Sequence, residues 1–157
     1  MTQQLIRRAT EDDASLLAEL GARTFAKSFA EQNTPEDMAA YLAASFETEI
    51  QRAELADPRN IFLILENDGV AIGYAHLRTG EPPACVSGPK PIELSRLYVE
   101  SNFQGGGVGA RLLKACLTEA RRAGYQTMWL GVWKQNVRAQ AFYRRWNFSV
   151  VGAHVFQ

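Results

Sequence analysis

The chain has 157 residues, and its 17 Lys+Arg balance 17 Asp+Glu, so the formal net charge at pH 7 is zero and no global field recruits nucleic acid or an anionic membrane. With 46% hydrophobic and 22% charged residues it reads as one ordinary globular domain over 1–157. No apolar run approaches a membrane span, residues 1–10 lack the apolar core of a signal peptide, and Cys85 and Cys116 have no metal-ligand spacing, so the expected setting is a reducing cytoplasm without a bound metal.

Residues 5–9 read as a first strand. Thr10 followed by Glu11, Asp12 and Asp13 marks a helix start, a capping hydroxyl with acids in the first turn. Leu16, Leu17, Leu20, Thr24 and Phe25 then recur at helical spacing. Thr34-Pro35 opens a second helix with Met38, Tyr41, Leu42 and Phe46 on its apolar face. Thr48 caps a third, short helix ending near Asp57-Pro58. Residues 61–65 form a buried strand, Asn67-Asp68-Gly69 a hairpin turn, and residues 70–77 the returning strand. A loop rich in proline runs from 80 to 91. Residues 92–99 form the next strand, 108 to about 121 a helix with Gly124 at its left-handed end, and 126–133 another strand. Asn136 caps a helix reaching Trp146, and Phe148, Val150 and Val151 begin a last strand. Cys116 falls in the apolar pattern of its helix and reads as a buried thiol.

The segment most informative about chemistry is Phe103-Gln104-Gly105-Gly106-Gly107-Val108-Gly109-Ala110, a glycine loop between a strand and a helix. A helix start leaves amide N–H groups without partners and favours negative charge, and glycines let a ligand approach the backbone. The arrangement suits a phosphate or pyrophosphate. Gly105-x-Gly107-x-x-Ala110 fits the dinucleotide fingerprint formally, but the loop comes late and no acid for a ribose stands in 126–133. A Walker loop needs Gly-Lys-Ser/Thr, and the chain has Gly109-Ala110-Arg111. An ordinary glycine-rich turn is the plainest alternative.

Gln104-x-x-Gly107-x-Gly109, with Leu97-Tyr98-Val99 upstream, resembles the coenzyme A loop of the GNAT family of N-acetyltransferases. A second segment agrees: residues 129–136 end in Asn136, and Ala139, Phe142-Tyr143 and Phe148 follow as in that family. The family usually has Gly before that Phe; here Asn147 stands there, the next best residue for a left-handed position. Residues 25–38, 92–99, 129–133 and Gly152-Ala153-His154 are similar to the polyamine acetyltransferases of bacteria. The resemblance implies an α/β fold: a mixed, mostly antiparallel central sheet flanked by helices on both faces. The strand that usually follows Gly-Ala-His is missing, so either the chain is cut short at Gln157 or a second subunit in a homodimer supplies that strand.

The resemblance also assigns roles. Acetyl-CoA would be the co-substrate and a primary amine the acceptor, a small polyamine such as spermidine or spermine. The pyrophosphate would lie on the amides from Gly105 to Ala110, through Gly106, Gly107, Val108 and Gly109, with Gln104 beginning the loop; side chains at 107 and 109 would obstruct it most. Leu97, Tyr98 and Val99 would pair with the pantetheine arm, on a strand that splays from its neighbour. Tyr143 would be the general acid, a phenol protonated at neutral pH. Glu93 would be the general base through water, unless it is merely ion-paired, perhaps with Arg96. His76 is a second candidate at the substrate, with a structural histidine as its plainer reading. Asn136 and Arg145 would touch the cofactor, or cap a helix and line a solvated face. Glu31 and Tyr41, with Glu36 and Asp37, lie where the family builds its acceptor site; His154 carries no assigned role. A protein or peptide N-acetyltransferase, a non-catalytic coenzyme A-binding regulatory module and, more distantly, a dinucleotide oxidoreductase remain as alternatives.

Overall fold

The computed structural model describes residues 4–29, 36, 48–100, 107–132 and 136–150. Glu31, Tyr41, most of the expected second helix, Gln104, Gly105, Gly106 and residues 151–157 with His154 lie outside them. Five strands form one sheet in the order β1 (Gln4–Arg8), β2 (Asn60–Asn67), β3 (Val70–Arg78), β4 (Pro91–Val99) and β5 (Thr127–Trp129). The first three pairings are antiparallel and β4 pairs with β5 in parallel. The helices are α1 (Ala14–Phe29), α2 (Thr48–Ala56), α3 (Val108–Arg122) and α4 (Val137–Arg145), with a short 3-10 turn at Glu11–Asp13 before α1. This is the mixed, mostly antiparallel sheet with helices on both faces that the sequence suggests.

Strand alternation assigns each side chain to a face. Leu63 and Leu65 of β2, Ala75 and Leu77 of β3, and Ile92 and Leu94 of β4 meet Val108, Leu112, Leu113 and Cys116 of α3. Phe62, Ile64 and Tyr74 point the other way, to Leu17 and Leu20 of α1. Helix α3 sits close because β3 has a glycine beneath it: a Cβ on Gly73 would stand 3.1 Å from Leu112 Cδ1 and 3.0 Å from the Tyr98 carbonyl oxygen.

Left-handed residues mark the boundaries. Asp68 and Gly69 both have positive φ, +52° and +83°, the signature of a two-residue type I′ hairpin. Gly107 (+82°) precedes α3 and Gly124 (+92°) follows it; Asn147 (+68°) ends the turn after α4. At the other end of the chain, the Thr10 amide donates to the Asp13 carboxylate (2.9 Å), and Arg7 clamps Asp13 and Glu66.

Two expectations about strands change. Strand β5 is three residues long, not eight, because its partner leaves it: the parallel ladder runs Pro91↔Thr127, Ile92↔Met128, Glu93↔Trp129 and stops. Residues 148–150 form no strand; the rest of the expected final strand is outside the described residues.

Candidate active site

Strand β4 organises the site. In its antiparallel pairing with β3, His76 faces Arg96 but Leu77 faces Leu94, so Ser95 is a β-bulge. The extra residue reverses the alternation beyond it. Leu97 and Val99 then pack on the α3 side, while Tyr98 packs with Tyr74 on the other. The bulge lies two residues past Glu93, where pairing with β5 ends. From Leu94 onward the two strands diverge.

The backbone of the divergent half has a defined direction. The Glu100 N–H donates to the Ile72 carbonyl on β3 (2.8 Å). In an antiparallel ladder, pairs that exchange bonds alternate with pairs that do not. Counting back through Val99↔Gly73, Tyr98↔Tyr74 and Leu97↔Ala75, Leu97 and Val99 turn their N–H and C=O groups toward the side β5 has vacated. The end of the ladder at Glu93 agrees with the splay expected from the sequence.

At the far end of β4 stands the start of α3. Gly107 occupies the cap position with no side-chain cap, so the amides at Val108, Gly109 and Ala110 begin the helix without a competing acceptor from the cap residue. Val108 is buried and roots this end in the core. Glycine at 107 is required by its positive φ, since a Cβ there would meet open space. At Gly109 a Cβ would touch the Phe142 ring at 3.7 Å, an ordinary contact.

Tyr143 lies on α4 with its ring edge-on to Phe142 and Phe148 (centroids 5.1 and 5.6 Å) and packs against the α3-side core. Burial raises its pKa above the usual phenol value, and Cys116 and Tyr98 act in the same direction. Tyr98 belongs to β4, so the Tyr143 hydroxyl is placed within electrostatic reach of the divergent strand. Cys116 is buried, and its thiol is pushed up to about 12, so it stays protonated and unreactive.

Glu93 is ion-paired with Arg78, not with Arg96 as the sequence suggested. Arg78 Nη2 and Nε donate to Glu93 Oε1 at 2.8 and 3.2 Å. Both bonds fall on one oxygen, leaving Oε2 to a water or an amine. Arg96, shifted by the bulge, lies with its Nη1 3.7 Å from Glu54 Oε1. Glu93 and Trp129 line a cleft of about 450 Å³ together with Glu54, Asn60, Arg59, Arg78 and Glu81.

His76 is not at the surface of that cleft. Its ring is 0% exposed, stacks on Phe62 (4.2 Å, 9°), and bonds Asn60 Oδ1 through Nε2 at 2.9 Å. Burial, reinforced by Arg96 and Arg78, holds its pKa down to about 3. It is a neutral structural histidine and cannot contact substrate directly. Asn136 caps α4, its Oδ1 accepting from Ala139 N (3.1 Å), so only its Nδ2 is left to offer a ligand. Arg145 is exposed in the last turn of α4 and folds back on the Ala141 carbonyl (3.5 Å), a placement the helix dipole explains. The sequence reading missed Glu54 and Asn60; the only signal was Gln51 and Glu54 three apart on one face of α2, both turned inward. Among the described residues no helix is long and apolar enough to cross a membrane, and no cluster of His, Cys, Asp and Glu could hold a metal.

Comparison with known proteins agrees with this geometry. The profile described as the acetyltransferase (GNAT) family matches residues 22–148. An uncharacterised N-acetyltransferase of Lactobacillus delbrueckii subsp. lactis is 31% identical over 156 residues, covering 99% of this chain and 90% of that one. The solved PaiA N-acetyltransferase of Thermoplasma acidophilum in complex with coenzyme A superposes with a TM-score of 0.79 at 20% identity, covering 91% of this chain and 87% of that one. An aminoglycoside N-acetyltransferase in complex with coenzyme A gives 0.77 at 19%, covering 100% and 95%.

Proposed function

The chain belongs to the GNAT family and is an acetyl-CoA-dependent N-acetyltransferase; from that premise we propose that its acceptor is a small polyamine such as spermidine or spermine, acetylated in the cytoplasm with Tyr143 as general acid and Glu93 as general base. The observation that carries this reading is the divergence of β4 from β5 immediately beyond Glu93 and Trp129. It joins the two ends of a transfer site. The α3 amides at Val108 to Ala110 lie at one end and suit a pyrophosphate. The cleft holding Glu93 lies at the other, where the thioester end of an arm paired along Val99 and Leu97 arrives.

Acetyl-CoA supplies an activated acetyl group on sulfur. The residues of this chain manage the protons. Glu93 Oε2 takes a proton from the acceptor ammonium through water, which restores the nitrogen lone pair. Arg78 fixes the carboxylate by holding Oε1. The backbone N–H groups of Leu97 and Val99 align the arm and offer a donor to the carbonyl oxygen as charge develops on it. The freed amine nitrogen bonds the thioester carbonyl carbon, the C–S bond breaks, the Tyr143 hydroxyl gives its proton to the sulfur, and the nitrogen releases its second proton to solvent as the amide forms. The raised pKa of Tyr143 keeps its proton in place at neutral pH.

The test is thiol release from acetyl-CoA with spermidine, spermine, amino acids and short peptides, for the natural chain and Tyr143→Phe. Polyamine-dependent release is expected, with kcat lowered about 100-fold in the variant and the KM for acetyl-CoA unchanged. Full kcat in Tyr143→Phe would remove the acid assignment. Release with amino acids or peptides but not polyamines would replace the acceptor.

A further inference from the structure

A groove of about 430 Å³ runs between β1 and α3, and no residue lining it also lines the Glu93 cleft. Its floor is apolar, made by Ile6, Leu63 and Ala115. Its walls are basic: Arg8 from the strand, Arg111 and Lys114 from the helix. In a chain of zero formal net charge such a concentration is local.

Neighbouring acids do not cancel these three cations. Arg7 is held by Asp13 and Glu66, and Arg122, farther along α3, stands 3.7 Å from Glu119. Arg8, Arg111 and Lys114 have no acid at bridging distance among the described residues. Arg111 Nη1 donates to the neutral Oε1 of Gln4, which bridges helix to strand and leaves the charge in place. Helix stability does not explain Arg111, because it stands in the first turn of α3, where the dipole disfavours a cation.

The strand adds an independent feature. β1 is outermost in the sheet order, and no described strand lies beyond it. The Ala9 N–H donates to the Phe62 carbonyl at 2.8 Å, one step past the Arg8↔Leu63 pair. In an antiparallel ladder, pairs that exchange bonds alternate with pairs that do not. Counting back, Arg7 and Leu5 bond inward to β2, while Gln4, Ile6 and Arg8 turn their N–H and C=O groups to the open edge. Ile6 and Arg8 are also residues that line the groove. A charge on an edge strand keeps stray strands away, which accounts for Arg8 alone and not for the helix cations on the same groove.

These features select the occupant. A row of edge N–H and C=O groups pairs with a polypeptide backbone, which a nucleic acid lacks. A strand added there sends every second side chain toward α3. Carboxylates at those positions meet Arg8, Arg111 and Lys114, and an apolar side chain between them meets the floor. We propose that the groove docks an extended acidic segment of a partner protein, added to the sheet beside β1. The surface serves attachment, and acetyl transfer at the Glu93 cleft proceeds without it.

The test is fluorescence anisotropy of a labelled nine-residue peptide titrated with the full chain. The peptide alternates glutamate with threonine and carries leucine at its centre, so glutamates and leucine share one face of the strand. It should bind. Lysine in place of glutamate, and N-methylation of the amides that pair with β1, should each weaken binding about tenfold or more. Lys114→Glu should do the same, with Arg8→Glu as the second variant if Lys114→Glu does not fold by thermal denaturation. The Kd for acetyl-CoA should stay within about twofold in either variant. No binding of the acidic peptide, or equal binding of its N-methylated form, overturns the proposal. A matching loss of acetyl-CoA binding would mean structural damage or a part in the transfer site, and overturns it too. An oligothymidylate of equal charge that binds as tightly would make the groove a nucleic-acid track. A dimer in sedimentation that Lys114→Glu dissolves would make the occupant a second copy. Either result replaces the acidic segment and ends the proposal.

Discussion

The two faces of the sheet are filled with opposite chemistry. Toward α3, the fully buried side chains among the described residues are apolar but for the protonated thiol of Cys116, with the Tyr143 phenol packed against their margin. Toward α1 and α2, the apolar set of Leu17, Leu20, Phe62 and Ile64 gives way to Tyr74, His76, Arg96, Glu54 and Gln51. The dry face holds the glycine-started helix against the sheet. The polar face borders the cleft. One strand, β4, serves both, and the Ser95 bulge decides which of its residues goes where. The lesson is a division of labour: apolar packing supplies rigidity on one side, so polar groups can be held at fixed distances on the other.

That division can be broken most severely on the dry face. Leu112 is fully buried against Gly73 and the α3-side core. Leu112→Ala should destabilise the chain by roughly 2–5 kcal/mol, read as a denaturant midpoint, and should also raise the KM for acetyl-CoA because the helix start loses its seat. A variant that unfolds at the natural midpoint would show that α3 is not held by this packing. Gly73→Val approaches the same contact from the strand. With only 3.0–3.1 Å to Tyr98 O and Leu112 Cδ1, the added side chain should cost about 1–3 kcal/mol and push α3 outward. Its effect should shrink in a Leu112→Ala background, where space has been made; strict additivity would count against the shared contact.

How far the sequence was legible follows the same division. The hairpin at Asp68-Gly69, the bounds of α3 at Gly107 and Gly124, and the left-handed Asn147 were all readable, because each depends on a local backbone demand that few residues meet. The dry face was readable too, through apolar periodicity. What escaped were facts about partners. Residues 130–132 continue the sequence pattern of a strand, but the described pairing with β4 has already ended, and absence of a neighbour leaves no mark in composition. Glu93 pairs with Arg78 because the two are direct cross-strand partners, a register that only the folded sheet reveals, and the Ser95 bulge that turns Arg96 to the same face has no reliable local signature. Glu54 and His76 stand 22 positions apart and acquire meaning only when α2 is laid across β3. A buried histidine and a reachable one look alike until a fold encloses one of them.

The polar face gives the smallest of these effects, and one that is confined to a pH window. His76 ordinarily titrates near 6.5 and in the fold is held near 3, by burial first and then by Arg96 and Arg78. The unfolded chain therefore takes up a proton between about pH 6.5 and 3 that the folded chain refuses. The stability tied to neutral His76 is complete above 6.5 and is lost as the pH falls through this window; raising the pH above 7 changes nothing. One unit below the ordinary value the loss is about 1.4 kcal/mol. His76→Gln keeps an N–H toward Asn60 Oδ1 but cannot titrate. Comparing denaturant unfolding of the two chains from pH 7 to 4.5 should show the natural chain losing stability faster, with the gap opening below 6.5. Carboxylates that titrate in both chains, Asp13 beside Arg7 among them, cancel in the difference. Parallel curves would mean that His76 accepts a proton in place, with Glu54 close enough to stabilise it. The gap between Glu54 Oε2 and His76 Nδ1 would then be a latent ion pair, and the contrast between the two faces would rest on shape alone.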